Sequence, residues 1–118
     1  MVSVCTGAFV LAEAGLLTGR RVTTHWAACE TLAQRFPLVE VDPEPIFVRD
    51  GNVATSAGVT AGIDLALELA RRLAGDDVAR EIQLQLEYDP APSLDSGSPE
   101  AAPPELVSRL RARARRYR

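Results

Sequence analysis

Three observations predict an α/β fold. Strand-like and helix-like segments alternate from Met1 to Tyr88, an order that builds a largely parallel sheet with helices packed on it. The opening Met1-Val2-Ser3-Val4-Cys5-Thr6-Gly7-Ala8 carries an apolar strand through a cysteine straight into a helix. Asp50-Gly51 supplies a strong hairpin signal between two β-rich runs.

The elements come in order along the chain. Val2 to Val4 is the first strand. A helix is expected from Thr6 to about Leu16, with Phe9, Val10, Ala14 and Leu17 at helical spacing, and Gly19 closes that unit. The β-branched run Arg21-Val22-Thr23-Thr24-His25 reads as a short strand. Ala27 to Phe36 reads as a compact helix with Ala28, Cys29, Leu32 and Phe36 on one face, stopped by Pro37. Leu38 to Val41 is a short strand, and Pro43 and Pro45 break the chain before Ile46-Phe47-Val48. The Asp50-Gly51 turn leads into a strand over Asn52 to Thr55.

The clearest helix is expected from Val59 to Leu73, with a stripe of Val59, Ile63, Ala66, Leu67 and Ala70 and with Thr55 or Ser56 as N-cap. Gly75 ends it, and another helix runs from Asp76 to about Tyr88. Residues 89–104 are rich in Pro, Ser, Gly and Ala and predict an extended arm. A final Arg-rich helix over 105–118, opened by Pro104, places Leu106, Leu110, Ala114 and Tyr117 on one side. The expected organisation is thus a partial α/β domain over 1–88, an arm and a helix.

Composition narrows the function. At 118 residues, 47% hydrophobic and 25% charged, the chain has room for one small globular domain. It shows neither a spanning apolar run nor a signal-like start, so the expected location is the cytoplasm. Two cysteines make no disulfide framework, and both are expected to be free thiols. With one histidine at no close spacing they make no zinc site either, and no cofactor pattern is present. The net charge of −3 argues against nucleic-acid binding, and the six arginines between Arg109 and Arg118 read as a solvated helix end.

Chemistry concentrates at the expected carboxyl edge of the sheet. Cys5 stands at a strand–turn–helix junction, the layout of a nucleophile elbow. A tight turn there pushes the thiol outward, and the amides opening the next helix favour thiolate. Ser3 and Gly7, two residues away on either side, are small enough to let the turn close. Neighbouring parallel strands end on one edge, so His25 would meet Cys5 there as base or proton shuttle. Thr6 offers its N–H to an anionic intermediate and its hydroxyl to water. The loop Thr55-Ser56-Ala57-Gly58-Val59-Thr60 also comes after a strand and opens a helix, so Ser56, Ala57 and Gly58 join Gly7 as expected substrate contacts. Asp64, one turn further in, is either an orienting partner for His25 or a solvated acid. Cys29 shares its helix face with Leu32 and Phe36 and reads as core.

These runs carry a resemblance. Ser3-Val4-Cys5-Thr6-Gly7-Ala8, Ala14-Gly15-Leu16-Leu17, Arg20-Arg21-Val22-Thr23-Thr24-His25-Trp26, Arg49-Asp50-Gly51-Asn52 and Thr55 through Asp64 resemble the DJ-1/PfpI superfamily of glutamine-amidotransferase-like domains. The resemblance covers residues 1 to about 95. It implies the C-terminal portion of a flavodoxin-like doubly wound sheet, with Cys5 as nucleophile, Thr6 beside it and the elbow amides as anion holder. It also implies a small-molecule substrate and a homodimer, and a catalytic carboxylate from a strand–helix segment that would precede Met1. The front of the domain is therefore expected to be missing and activity to be impaired. Two branches share these motifs: isonitrile hydratase-like enzymes, which add water to an isonitrile to give an N-formamide, and the sensor domains of AraC-type regulators. Gln83 to Tyr88, Asp89-Pro90 and Asp95 to Pro99 resemble the ending of the hydratase branch. An interaction module or inactive fragment is the third reading.

Overall fold

The structure, a computed structural model, describes residues 1–116. The chain divides into one unit from Met1 to Tyr88 and a second from Asp89 onward.

In the first unit, β1 (Val2–Val4) leads into α1 (Gly7–Glu13), and then β2 (Arg21–Val22) and a 3-10 turn over Trp26–Ala28 that feeds α2 (Cys29–Arg35). Then come β3 (Glu40–Val41), the hairpin β4 (Phe47–Asp50) and β5 (Val53–Ser56), and the helices α3 (Ala61–Ala74) and α4 (Asp76–Gln85). The fold is α/β, as the alternation predicts. Gly51 takes φ +61°, the left-handed conformation that this tight turn asks of its first central residue, and Asp50 pairs with Val53 across it.

The strands form two sheets. β5 is central in one, parallel to β1 with Ser3 opposite Thr55 and antiparallel to β4. β2 and β3 pair in parallel as the other. The strand expected over Arg21–His25 ends at Val22 because the next two residues turn to partners distant in sequence. The Thr23 N–H donates to the Thr55 hydroxyl at 2.8 Å and the Thr24 hydroxyl donates to the Cys5 carbonyl at 2.7 Å. Side-chain oxygens take the place of ladder partners.

The core gathers Ala8, Ala12, Leu17, Val22, Leu32, Val39 and Val53, with Phe9, Leu11, Phe36 and Val41 packed on it. At its rim Phe9 and Phe36 meet edge to face at 6.5 Å, and the Arg35 guanidinium lies over both rings while pairing with Glu13. The buried line of α1 is thus Ala8–Ala12, not Val10 and Ala14, which are exposed. In α3 the buried residues are Ala61 and Leu65, while Val59 precedes the helix and stays 79% exposed. Both segments are apolar most of the way round, so periodicity marks a stripe without choosing the face that meets the sheet. Thr60, not Thr55 or Ser56, is the N-cap of α3, because both earlier residues remain within β5. β1 keeps Val2 and Val4 partly open to solvent.

The second unit contains α5 (Pro104–Arg116), with Leu106 and Val107 half-buried and Pro104 in its first turn. Tyr117 and Arg118 lie outside the described residues. No helix among the described residues is long and apolar enough to cross a membrane.

Candidate functional site

Cys5 has φ +55°. For a residue with a Cβ, the left-handed region costs about 1–2 kcal/mol, so its surroundings must hold it there. They do so at both ends of the residue. Its N–H is shared between the carbonyls of Ser56 and Ala57, at 3.0 and 3.1 Å, and its own carbonyl accepts the Thr24 hydroxyl. β1 therefore ends in a strained turn that leaves Cys5 half-buried at a strand–turn–helix junction, the backbone geometry expected of a nucleophile elbow.

Thr6 comes next as the N-cap of α1 with helical φ and ψ of −70° and −1°, its side chain making no cap and standing exposed. A Cβ on Gly7 would meet the Ser3 Cβ at 3.5 Å, an ordinary contact. The turn therefore closes without requiring a glycine at that position.

His25 caps the 3-10 turn. Its Nδ1 accepts the Ala27 N–H at 3.2 Å, which puts the proton of the neutral ring on Nε2. Partial burial favours that neutral form and lowers the pKa from its ordinary value of 6.5. The ring lies against Gly58, where a Cβ would fall 3.0 Å from Cδ2 and 3.6 Å from Nε2. In the neutral ring Nε2–H is the remaining hydrogen-bond donor of the imidazole, on the edge that faces Gly58.

The β5–α3 loop completes the cluster. Ser56 is fully buried, so it contributes its carbonyl, while Ala57 and Gly58 are half-buried. Cys5, Thr6, Gly7, His25, Ser56, Ala57 and Gly58 are brought to one edge by these links. Among the described residues no hydrogen bond joins the Cys5 thiol to the His25 ring; Thr24 connects their backbones instead. Asp64 is not an orienting partner of His25. Its carboxylate accepts the Tyr88 hydroxyl, 3.2 Å from each oxygen, across to the end of α4.

The sequence reads Thr24 only as strand material and Thr55 as an N-cap candidate at the start of the site loop, and it shows the hydrogen bond of neither hydroxyl. Both are buried and both use their side-chain oxygens to join segments distant in sequence. Cys29 is buried beneath them, its Sγ 3.7 Å from the Thr24 carbonyl and 3.6 Å from that of His25. Burial pushes its thiol pKa up, so it stays protonated. No group of three or more His, Cys, Asp or Glu suited to a metal ion occurs among the described residues.

Residues 1–72 match the model of the DJ-1/PfpI family. An isonitrile hydratase of Pseudomonas putida is 54% identical over 112 residues, covering 95% of this chain and 48% of that protein. The HTH-type transcriptional regulator CdhR of Pseudomonas aeruginosa is 46% identical over 80 residues, covering 68% of this chain and 24% of the regulator. A crystal structure of a ThiJ/PfpI family protein from Pseudomonas syringae superposes with a TM-score of 0.85 at 39% identity, over 94% of this chain and 45% of the other. The chain thus spans about half the length of the hydratase and about a quarter of the regulator.

Proposed function

This chain belongs to the DJ-1/PfpI family, and we propose that it carries the cysteine part of an isonitrile hydratase-like site. The observation that carries the reading is the left-handed Cys5 at the end of β1, in a sequence 54% identical to an isonitrile hydratase. Cys5 is the nucleophile. Its sulfur bonds to the terminal isonitrile carbon while the thiol proton ends on that carbon, giving a thioimidate. Water then bonds to the same carbon and passes one proton to nitrogen. The carbon–sulfur bond breaks, the hydroxyl proton returns to sulfur, and an N-substituted formamide leaves.

Thr6 supplies its N–H to the developing negative charge. His25 acts through Nε2–H as a donor to the oxygen or nitrogen of the intermediate. Proton shuttling through that atom is the alternative use of the same edge. Gly7, Ala57 and Gly58 line the approach of the substrate, and Ser56 fixes the elbow beneath it. A homodimer is part of the proposal, as the partly open β1 gives the chain apolar surface to cover.

The test is incubation of the 118-residue chain with a small alkyl isonitrile. Peptide mapping then looks for a mass gain on Cys5 equal to the isonitrile, and NMR looks for the formamide. Loss of both in Cys5→Ala is expected. A folded chain that gives neither adduct nor formamide sinks the reading. The match to CdhR supports a second one, in which the cluster binds a small ligand without turnover. Reversible binding with no adduct on Cys5 would favour it.

A further inference from the structure

We infer that Thr24 is a positioning residue whose hydroxyl holds the Cys5 elbow in its left-handed conformation and ties it to His25. The inference rests on Cys5 being the reactive thiol of the site.

Cys5 occupies a conformation its Cβ disfavours. Its N–H is held by two carbonyls of the β5 end, but those bonds restrain only the side of the residue facing β1. On its other side the chain enters a seven-residue helix with no side-chain cap, a weak anchor for a strained turn. The Cys5 carbonyl is therefore the point where the elbow would relax, and Thr24 Oγ1 donates to it at 2.7 Å.

Thr24 is built to hold that oxygen still. The residue is 1% exposed, and its carbonyl receives the buried Cys29 thiol at 3.7 Å. Its neighbour Thr23 is fastened through its N–H to Thr55 Oγ1 in the strand that pairs with β1. The β-branched side chain has few rotamers to lose when it is fixed this way. Because His25 is the next residue, with its carbonyl 3.6 Å from the same Cys29 sulfur, the clamp also sets where the imidazole stands relative to the thiol. Valine has the shape of threonine without the donor, so Thr24→Val removes the hydrogen bond and little else. Serine keeps the donor and loses a methyl.

The experiment is iodoacetamide labelling of the full chain across pH 5 to 9, with Cys5 and Cys29 followed separately by mass spectrometry in the parent, Thr24→Val and Thr24→Ser. We expect Cys5 labelling at neutral pH to slow by about fivefold or more in Thr24→Val, the worth of one lost hydrogen bond. Thr24→Ser should restore most of the parental rate, and Cys29 should stay protected throughout. An unchanged Cys5 rate in Thr24→Val overturns the inference. So does loss of Cys29 protection in step with Cys5, or failure of serine to rescue, since either makes Thr24 an ordinary core residue. The readout uses no isonitrile. A chain inert to isonitriles whose Cys5 labelling still depends on Thr24 would sink the hydratase reading and leave this one standing.

Discussion

Gly58 lies so close to His25 that a single added carbon would stand 3.0 Å from the ring's Cδ2. The bare backbone of Gly58 therefore backs the Cδ2–Nε2 edge of the imidazole. Gly58→Ala should push the ring by a few tenths of an ångström with little effect on folding. The expected outcome is a several-fold slower isonitrile adduct on Cys5 with a melting temperature close to the parent's. An unchanged adduct rate would mean that the His25 ring takes no part in the chemistry.

Gly62 meets β1 in the same manner from α3. A Cβ there would fall 2.7 Å from one γ-carbon of Val4 and 3.1 Å from the other, so turning the side chain brings one methyl in as the other leaves. Alanine gains about 1 kcal/mol over glycine in a helix, while overpacking costs about 1–3 kcal/mol. Gly62→Ala should therefore lower the thermal midpoint. The double variant Gly62→Ala with Val4→Ala should recover much of the loss, a coupling that a double-mutant cycle reads directly.

Burial of His25 lowers its pKa in the folded chain from the ordinary 6.5. Below 6.5 the unfolded chain then binds more protons than the folded one, so acid favours unfolding. The His25 contribution should be intact above 6.5 and lost as the pH falls through the lowered value. Thermal melts at pH 5 and 7.5 should show a larger acid loss in the parent than in His25→Asn, whose side-chain oxygen can still accept the Ala27 N–H. Equal losses would assign acid sensitivity elsewhere.

Cys29 should resist alkylation at neutral pH in the native chain and become reactive in denaturant. Its burial both shields the sulfur and raises the thiol pKa. Labelling by mass spectrometry with and without guanidinium checks this. Fast native labelling of Cys29 would contradict the packing under Thr24.

Much of this could be read from the chain. The strand-to-cysteine junction, the Asp50-Gly51 turn and the position of His25 after a β-branched run are local features, and local chemistry dictates them. The faces of α1 and α3 were not legible, because both segments are apolar on several sides and only the sheet decides which is covered. Thr24 and Thr55 were hidden for a different reason. Their hydroxyls bond to Cys5 and Thr23, partners that become neighbours only after distant segments dock. Thr24, beside Thr23, looks like strand filler until those partners are known.

The two hydrogen bonds that hold Cys5 at its N–H reach to the far end of the β4–β5 hairpin. The hairpin can form from adjacent residues, whereas β1 must find it across most of the first unit, a slow long-range event. Until that docking occurs, nothing holds Cys5 in its left-handed turn. On the proposed reading, thiol reactivity at Cys5 would belong to the finished molecule alone, because a nascent or misfolded copy has no elbow to present.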